Sequence, residues 1–412
     1  MILSYFHYAI LGMAAIPFIY YSLALFSAWQ FFRCSRKPRG PQQAGLLGWK
    51  PSATSYTPPV SNLKPIRGLD PDAYENLASF CRQDYPEYEI VFCVGDASDP
   101  SLPTIQRLIR DFPKCQIRVL IGSGRVATND KVAKLARMTA EAKYETVVMS
   151  DSDVRVQPDY LRTIVAPLEN PKVGAVTCFY VPVPSEEKTF VQRVQSVGML
   201  SDFYAGILVA RQLDGVKFAL GPTIATTRKH LAGFGGYAAI ENRPADDLLV
   251  GRLISEQGYQ VELLNYAIHT VSDFQSLRDL FLKRLRWTVV MRIMRPWGHL
   301  GLIFTLGLPW ALAAIFVQST PEIAFAYLSA YFAFRIAMME VIGRWGLKQP
   351  GIYKKLWLLP VWDLLAACIW LTSFTRNSIR WRDGYYYIRN GELVPVDPSA
   401  AIRAAEKAPE RV

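Results

Sequence analysis

The amino-acid sequence predicts an α/β protein: a mainly parallel sheet, plus transmembrane helices. Three observations predict it. Short apolar runs alternate with amphipathic helical stretches between residues 61 and 180. A long uncharged apolar run opens the chain, and three more apolar runs lie between residues 300 and 374. The acidic motif Ser150-Asp151-Ser152-Asp153 ends one of the strand-like runs, where parallel sheets bind their ligands.

The opening run contains no Asp, Glu, Lys or Arg from residue 1 to residue 32. Its apolar part, 8–32, is longer than the roughly 20 residues that cross a bilayer core. It has no basic start and no Ala-x-Ala cleavage pattern, so residues 1–33 read as an uncleaved anchor. Arg33, Arg36, Lys37 and Arg39 follow and place that end in the cytoplasm. Residues 34–60 are rich in Pro, Gly, Gln, Ser and Thr and read as a linker.

Residues 61–298 read as the cytoplasmic domain. Strands are expected at 61–66, 89–94, 116–121, 146–149 and 173–180. Helices are expected at 71–82, 102–112, 131–143 and 158–169. This alternation builds a sheet covered on both faces. Lys64 and Arg67, Asp96 and Asp99, and Asp151 and Asp153 all fall at strand ends, so several elements deliver charge to one rim. A solvated turn would explain Asp151 and Asp153 alone but not that convergence. The turn at 122–127 matches Gly-x-Gly-x-x-Ala, yet it follows the third strand and leaves the aspartates unused. A helix is expected over 190–213, with Phe190, Val194, Val197, Tyr204 and Leu208 as its apolar positions. Asp246 and Asp247 open an amphipathic helix, where they also complement its dipole. Residues 277–295 form a basic amphipathic helix suited to the lipid headgroup region.

Apolar runs at 300–318, 323–342 and 356–374 occupy a membrane segment at 299–375. Three crossings would leave the C-terminus outside, whereas Arg376, Arg380, Arg382 and Arg389 favour the inside. One run is therefore expected to be re-entrant or interfacial, either 300–318 with Pro309 or 356–374 with Pro360 and Asp363. Residues 376–412 read as a basic tail with a disordered end.

Composition agrees. The chain of 412 residues is 51% hydrophobic and carries a formal charge of +11. That excess suits an anionic membrane surface or a phosphorylated substrate. With the membrane runs present, no nucleic acid partner is expected. Six cysteines without a Cys-x-x-Cys pair, and only four histidines, argue against zinc. Reduced thiols fit a cytoplasmic domain.

The order of motifs carries a resemblance. LKPIRGLD (63–70), NLASFCRQDYPEYEIVFCVGDASDP (76–100), SDSDVRV (150–156), GFGGY (233–237), ADDLLV (245–250), KRLRW (283–287) and SIRWRDGYYYIR (378–389) resemble the ceramide glucosyltransferases. The bacterial hopanoid-associated glycosyltransferases share similar text. The resemblance implies a GT-A-like, nucleotide-sugar-binding sheet. It implies inverting transfer of a hexose from a UDP-sugar to the hydroxyl of a membrane lipid, ceramide or a hopanoid, with Mg²⁺ or Mn²⁺. By the same resemblance Asp96 lies beside the uridine, Asp151 is the second family aspartate and Asp153 completes an Asp-x-Asp that holds the metal. Asp247 is the base, with Asp246 beside it, and Arg286 and Trp287 close the last motif. Lys283 stands where the family has Gln or Arg, and a lysine offers a point charge in place of a planar fork. On this reading Lys64 or Arg67 orients the nucleotide. A processive polysaccharide synthase shares the aspartates and the Arg-Trp pair, but should need more spanning helices.

Overall fold

The computed structural model describes residues 2–34, 56–125, 127–183, 189–271, 274, 276–381 and 384–396. Most of the expected linker and the end of the expected tail lie outside these residues. Helix α1 (Ile2–Cys34) forms the opening run. The domain then alternates as expected: β1 (Val60–Pro65), α2 (Ala73–Cys81), β2 (Tyr88–Val94), α3 (Leu102–Asp111), β3 (Gln116–Ile121), α4 (Asp130–Glu141) and β4 (Thr146–Ser150). These four strands are parallel neighbours in the order β3, β2, β1, β4. Every residue of β1 is buried, as a strand covered on both faces requires.

The second half adds β5 (Val154–Arg155), α5 (Tyr160–Val165), β6 (Val173–Pro182), α6 (Phe190–Gly198), α7 (Tyr204–Asp214), β7 (Thr223–Thr227), α8 (Arg228–Ala232), α9 (Asp246–Glu256) and β8 (Gln260–Thr270). The full sheet runs β3-β2-β1-β4-β7-β6-β8-β5. Strand β7 is antiparallel to both β4 and β6, so the 220–223 turn at its start shares a rim with the end of β4. The expected helix over 190–213 is interrupted by a π-turn at Met199–Phe203. The Ser201 hydroxyl bonds back to Val197 O at 2.8 Å, and the Ser201 carbonyl accepts from Arg335. A π-turn supplies such a diverted carbonyl.

After α10 (Leu277–Met294) come α11 (Pro296–Gly301), α12 (Gly307–Val317), α13 (Pro321–Met338) and α14 (Leu359–Ser373). Among the described residues three segments are long and apolar enough to cross a membrane: His7–Cys34, Pro321–Gly346 and Ile352–Ser373. The pair Pro296–Thr305 and Gly307–Val317 passes only as a unit, bent by 58°. Arg335 on α13 pairs with Asp363 on α14, and Tyr331 Oη donates to Asp363 at 2.8 Å. With the Ser201 carbonyl, this buried pair ties both helices to the domain. The same junction is apolar elsewhere: Phe31 and Phe32 of α1 pack with Phe179 of β6, Tyr204 of α7 and Trp362 of α14.

Two expectations change. The region read as a basic tail forms a three-stranded antiparallel sheet of β9 (Ser378–Trp381), β10 (Gly384–Arg389) and β11 (Glu392–Pro395). Its alternating exposed tyrosines mask a half-buried hairpin pattern that charge alone concealed. Helix α10 is not only a headgroup helix. Leu285, Val289 and Val290 on it pack with Ile369, Ile379 and Leu393, and Arg292 donates to Arg376 O at 2.7 Å.

Candidate active site at the rim of the sheet

The strand β4 ends at Ser150 in a fully buried run, and the chain must then turn, which sets Asp151 and Asp153 at its tip. Asp151 Oδ1 receives Lys131 Nζ at 2.7 Å. Lys131 comes from the first turn of α4, which is capped by the Asn129 side chain accepting from Val132 N. The same ammonium lies 3.4 Å from Asp246 Oδ2, an ion pair without a hydrogen bond, since that buried oxygen has no hydrogen-bond partner among the described residues. Burial opposes the charge of Lys131, but Asp151, Asp246 and Asp247 outweigh it and hold Lys131 above the ordinary lysine range.

Asp247 is placed by backbone geometry. Ala245, at φ 55° and ψ 57°, turns the chain through the left-handed region directly before α9. Both aspartates then enter the first helical turn, and Leu248 N donates to Asp247 Oδ1 at 2.8 Å. The helix sits directly on the 218–221 backbone. A Cβ on Gly251 would stand 2.2 Å from Phe218 C, and one on Gly221 would stand 2.9 Å from Asp247 Oδ2. Glycine at both positions therefore permits the approach. Burial, then the Asp246 charge, pushes the Asp247 carboxyl up to about 6, against the opposing pull of Lys131.

Asp153 lies on the same turn. Burial and Asp151 push it up to about 7, while Lys283 and Lys64 pull it back. Two carboxylates on one turn, with Asp153 left, among the described residues, without an ion pair as close as that of Asp151, suit a hard divalent cation. Among the described residues no third His, Cys, Asp or Glu joins the pair, so further ligands would be water and substrate oxygens.

The remaining expected residues divide. Lys64 is wholly buried, 3.4 Å from the Phe80 ring, and its Nζ donates to Asp151 O at 2.8 Å. It therefore holds the aspartate turn. Burial pushes it down to about 7 despite Asp151, Asp153 and Asp70. Arg67 is exposed on the loop after β1. Asp96 is exposed at the end of β2, and its hydrogen bonds from Ser98 hold it below the ordinary carboxylate range. Asp99 instead joins loops, accepting from Gly68 N at 3.1 Å and Ser101 N at 3.0 Å. Arg286 and Trp287 are half-buried on α10, with the Trp287 ring 5.9 Å from Phe203. Lys131 and Tyr180 are the residues that sequence reasoning missed. Tyr180, at the end of β6, lies in the fields of Arg284, Asp247, Asp151 and Asp153. A lysine in a helix and a tyrosine in a strand look like surface and core until the fold brings them to the rim.

The class of protein follows from the sequence match that accompanies this fold: the chain is a glycosyltransferase. Its sequence matches the profile of glycosyl transferase family 21 over residues 10–394, and it belongs to that family. It is similar to ceramide glucosyltransferase 3 of Caenorhabditis elegans, 22% identical over 85% of this chain and 77% of that protein. A ceramide glucosyltransferase of Komagataella phaffii is 37% identical over 24% of this chain and 20% of that one. Among solved structures, the mannosyltransferase PcManGT from Pyrobaculum calidifontis, in complex with GDP-Man and Mn²⁺, shares the fold. It is 21% identical with a TM-score of 0.51, over 88% of this chain and 99% of that one.

Proposed function

We propose that this enzyme moves a hexose from a UDP-sugar to the hydroxyl of a membrane lipid, foremost ceramide, with inversion at the anomeric carbon. The observation that carries the reading is Asp247, a carboxylate seated against Gly221 beside the Asp151–Asp153 turn. The names of the relatives support ceramide as acceptor.

Asp151 and Asp153 would hold Mg²⁺ or Mn²⁺. That ion, when bound, offsets the charge of the leaving diphosphate. Lys64 keeps the turn in place from beneath. Asp96 faces the uridine, Arg67 helps orient the nucleotide, and Arg286 adds a cation near the diphosphate. Asp247 accepts the proton of the lipid hydroxyl as its oxygen attacks the anomeric carbon, for which the two oxygens come within about 2.6–3.2 Å. Lys131 opposes the protonation of Asp247, and Asp246 shares that lysine. Trp287 lines the acceptor entrance.

The proposed location is a multi-pass membrane protein with its domain on the cytoplasmic side, against an anionic surface. The basic residues after α1 support the cytoplasmic side, and the parity of crossings supports a common side for the domain and the C-terminal sheet. Leu393 N donates to Asn242 O at 2.7 Å, so the C-terminal sheet and the domain share one side. An even number of crossings must then separate them. Helices α13 and α14 supply two, and the bent α11–α12 pair is the re-entrant one.

Labelled UDP-glucose, UDP-N-acetylglucosamine and UDP-galactose, offered with ceramide and with a polyhydroxylated hopanoid, test the reading by mass spectrometry. One hexose added to ceramide supports it. A polymer, or no lipid adduct from any pairing, refutes it.

A further inference from the structure

Between α10 and the membrane helix α14 lies an aromatic cluster whose two buried donors, Arg284 and Trp362, the proposed chemistry does not use. Arg284 on α10 is 8% exposed, and its Nη2 has no hydrogen-bond partner among the described residues. Its guanidinium carbon lies 4.9 Å from the Trp287 ring, 5.1 Å from the Trp362 ring and 5.8 Å from the Phe203 ring. Trp362, on the candidate span α14, is 3% exposed, and its Nε1 is also without a partner among the described residues. Two buried donors in one aromatic cage thus lack an acceptor. Leaving such groups unpaired is costly, and native proteins seldom do it without a reason.

The cage is a built feature. A Cβ on Gly198 would meet the Trp362 ring at 2.4 Å, so only glycine there lets the indole lie against α6. The cage also reaches the site. The Tyr180 ring is 6.2 Å from Phe203, and the Tyr180 phenol feels both Arg284 and Asp247. Tyr180 thus packs on the Phe203 wall of the cage at the end of β6, and Arg284 on the other side of that ring reaches Trp362 of α14. Both orphan groups are donors, so their missing partner is an oxygen acceptor. A carboxylate or phosphate would be needed to neutralise an isolated cation, but the rings already face the guanidinium and the Asp202 carboxylate already acts on its charge. A neutral carbonyl or hydroxyl oxygen suffices.

We infer that Arg284 and Trp362 donate hydrogen bonds to the polar linkage of the lipid acceptor, and so select lipids that carry a carbonyl oxygen near the reactive hydroxyl. The inference rests on the lipid-transfer reading above. An amide-linked lipid whose hydroxyl meets Asp247 presents its carbonyl a few bonds further on, in the direction of the cage. Its alkyl chains then continue along α14. A site built to pair such an oxygen rejects an analogue without it, because its own donors are left unpaired.

The test uses the full chain in detergent micelles with UDP-glucose and two acceptors, ceramide and 1-octadecanol, which lacks the amide. Arg284→Met and Trp362→Phe are compared with the unchanged protein; the second keeps an aromatic ring and removes only the donor. The expected result is that Arg284→Met lowers kcat/KM for ceramide by about tenfold relative to that for the alcohol, as loss of one charge-assisted hydrogen bond implies. Trp362→Phe shifts the same ratio in the same direction, and the KM for UDP-glucose stays within about twofold in both, since neither side chain faces the donor. Equal loss with both acceptors, or an unchanged ratio in both variants, makes the cage structural and overturns the inference alone. Transfer to neither lipid by the unchanged protein overturns the inference together with the functional reading.

Discussion

At Asp247 the carboxylate sits between a cation and a second carboxylate, and their balance sets when it can take a proton. Its ordinary range is exceeded through burial and Asp246, to about 6. The proposed role as base requires an ionised carboxylate, so kcat at saturating donor is expected to fall about tenfold per pH unit below about 6 and to level off above it. Lys131→Gln removes the opposing positive charge, and the inflection should move to higher pH; an unmoved inflection would remove Lys131 from this role. Asp247→Asn should lower transfer by about 10²–10⁴-fold with the thermal unfolding profile retained. Circular dichroism and a product assay on the same preparation check it. The aspartates were legible because carboxylates at a strand tip are conspicuous and the resemblance assigns them roles. Lys131 was not, because its value arises from a 2.7 Å contact between the first turn of α4 and Asp151 on the turn after β4, 20 positions further along the chain, and no pattern marks the pairing. Lys64 was legible as a rim residue but not as a buried one, since only the Phe80 ring above it shows which way it points.

The helix α9 illustrates how an element positions a residue it carries. It approaches the 218–221 backbone closely enough that Gly251 has no room for a side chain. Gly251→Val should therefore destabilise the protein by about 1–3 kcal/mol through overpacking, and should also reduce transfer by shifting Asp247. Denaturant unfolding and activity together read both effects; a stable variant of full activity would show that the close approach is not needed. The first four strands were predicted within two residues, since each is an apolar run bounded by polar turns. Strands β7 and β8 were not, because TIATT is short and hydroxyl-rich and QVELLNYAIHT mixes charge into the run. Their place is set by tertiary pairing with β4 and β6. The π-turn at Met199–Phe203 was equally hidden, because its partner, Arg335, lies 134 residues away.

Across the whole molecule, the sheet, the membrane helices and the C-terminal hairpins lock together. Phe179 of the sheet packs on Phe31 of α1, with ring centroids 5.7 Å apart, and Leu393 of the C-terminal sheet bonds to Asn242 beside the site. The charge of residues 376–389 set the side of the C-terminus against the number of apolar runs, and the contact between β11 and the domain bears on that conflict only through the fold. Reporters fused after residue 412 and inserted at residue 125 are expected on the same side of the membrane, and opposite sides would reinstate α11–α12 as a crossing. The most direct test of the account is the anomeric configuration of the glycolipid made from an α-linked UDP-sugar and ceramide, read by proton NMR. A single displacement at the rim predicts one β-linked hexose per lipid. An α-linked product would contradict the role given to Asp247 and the chemistry proposed around it.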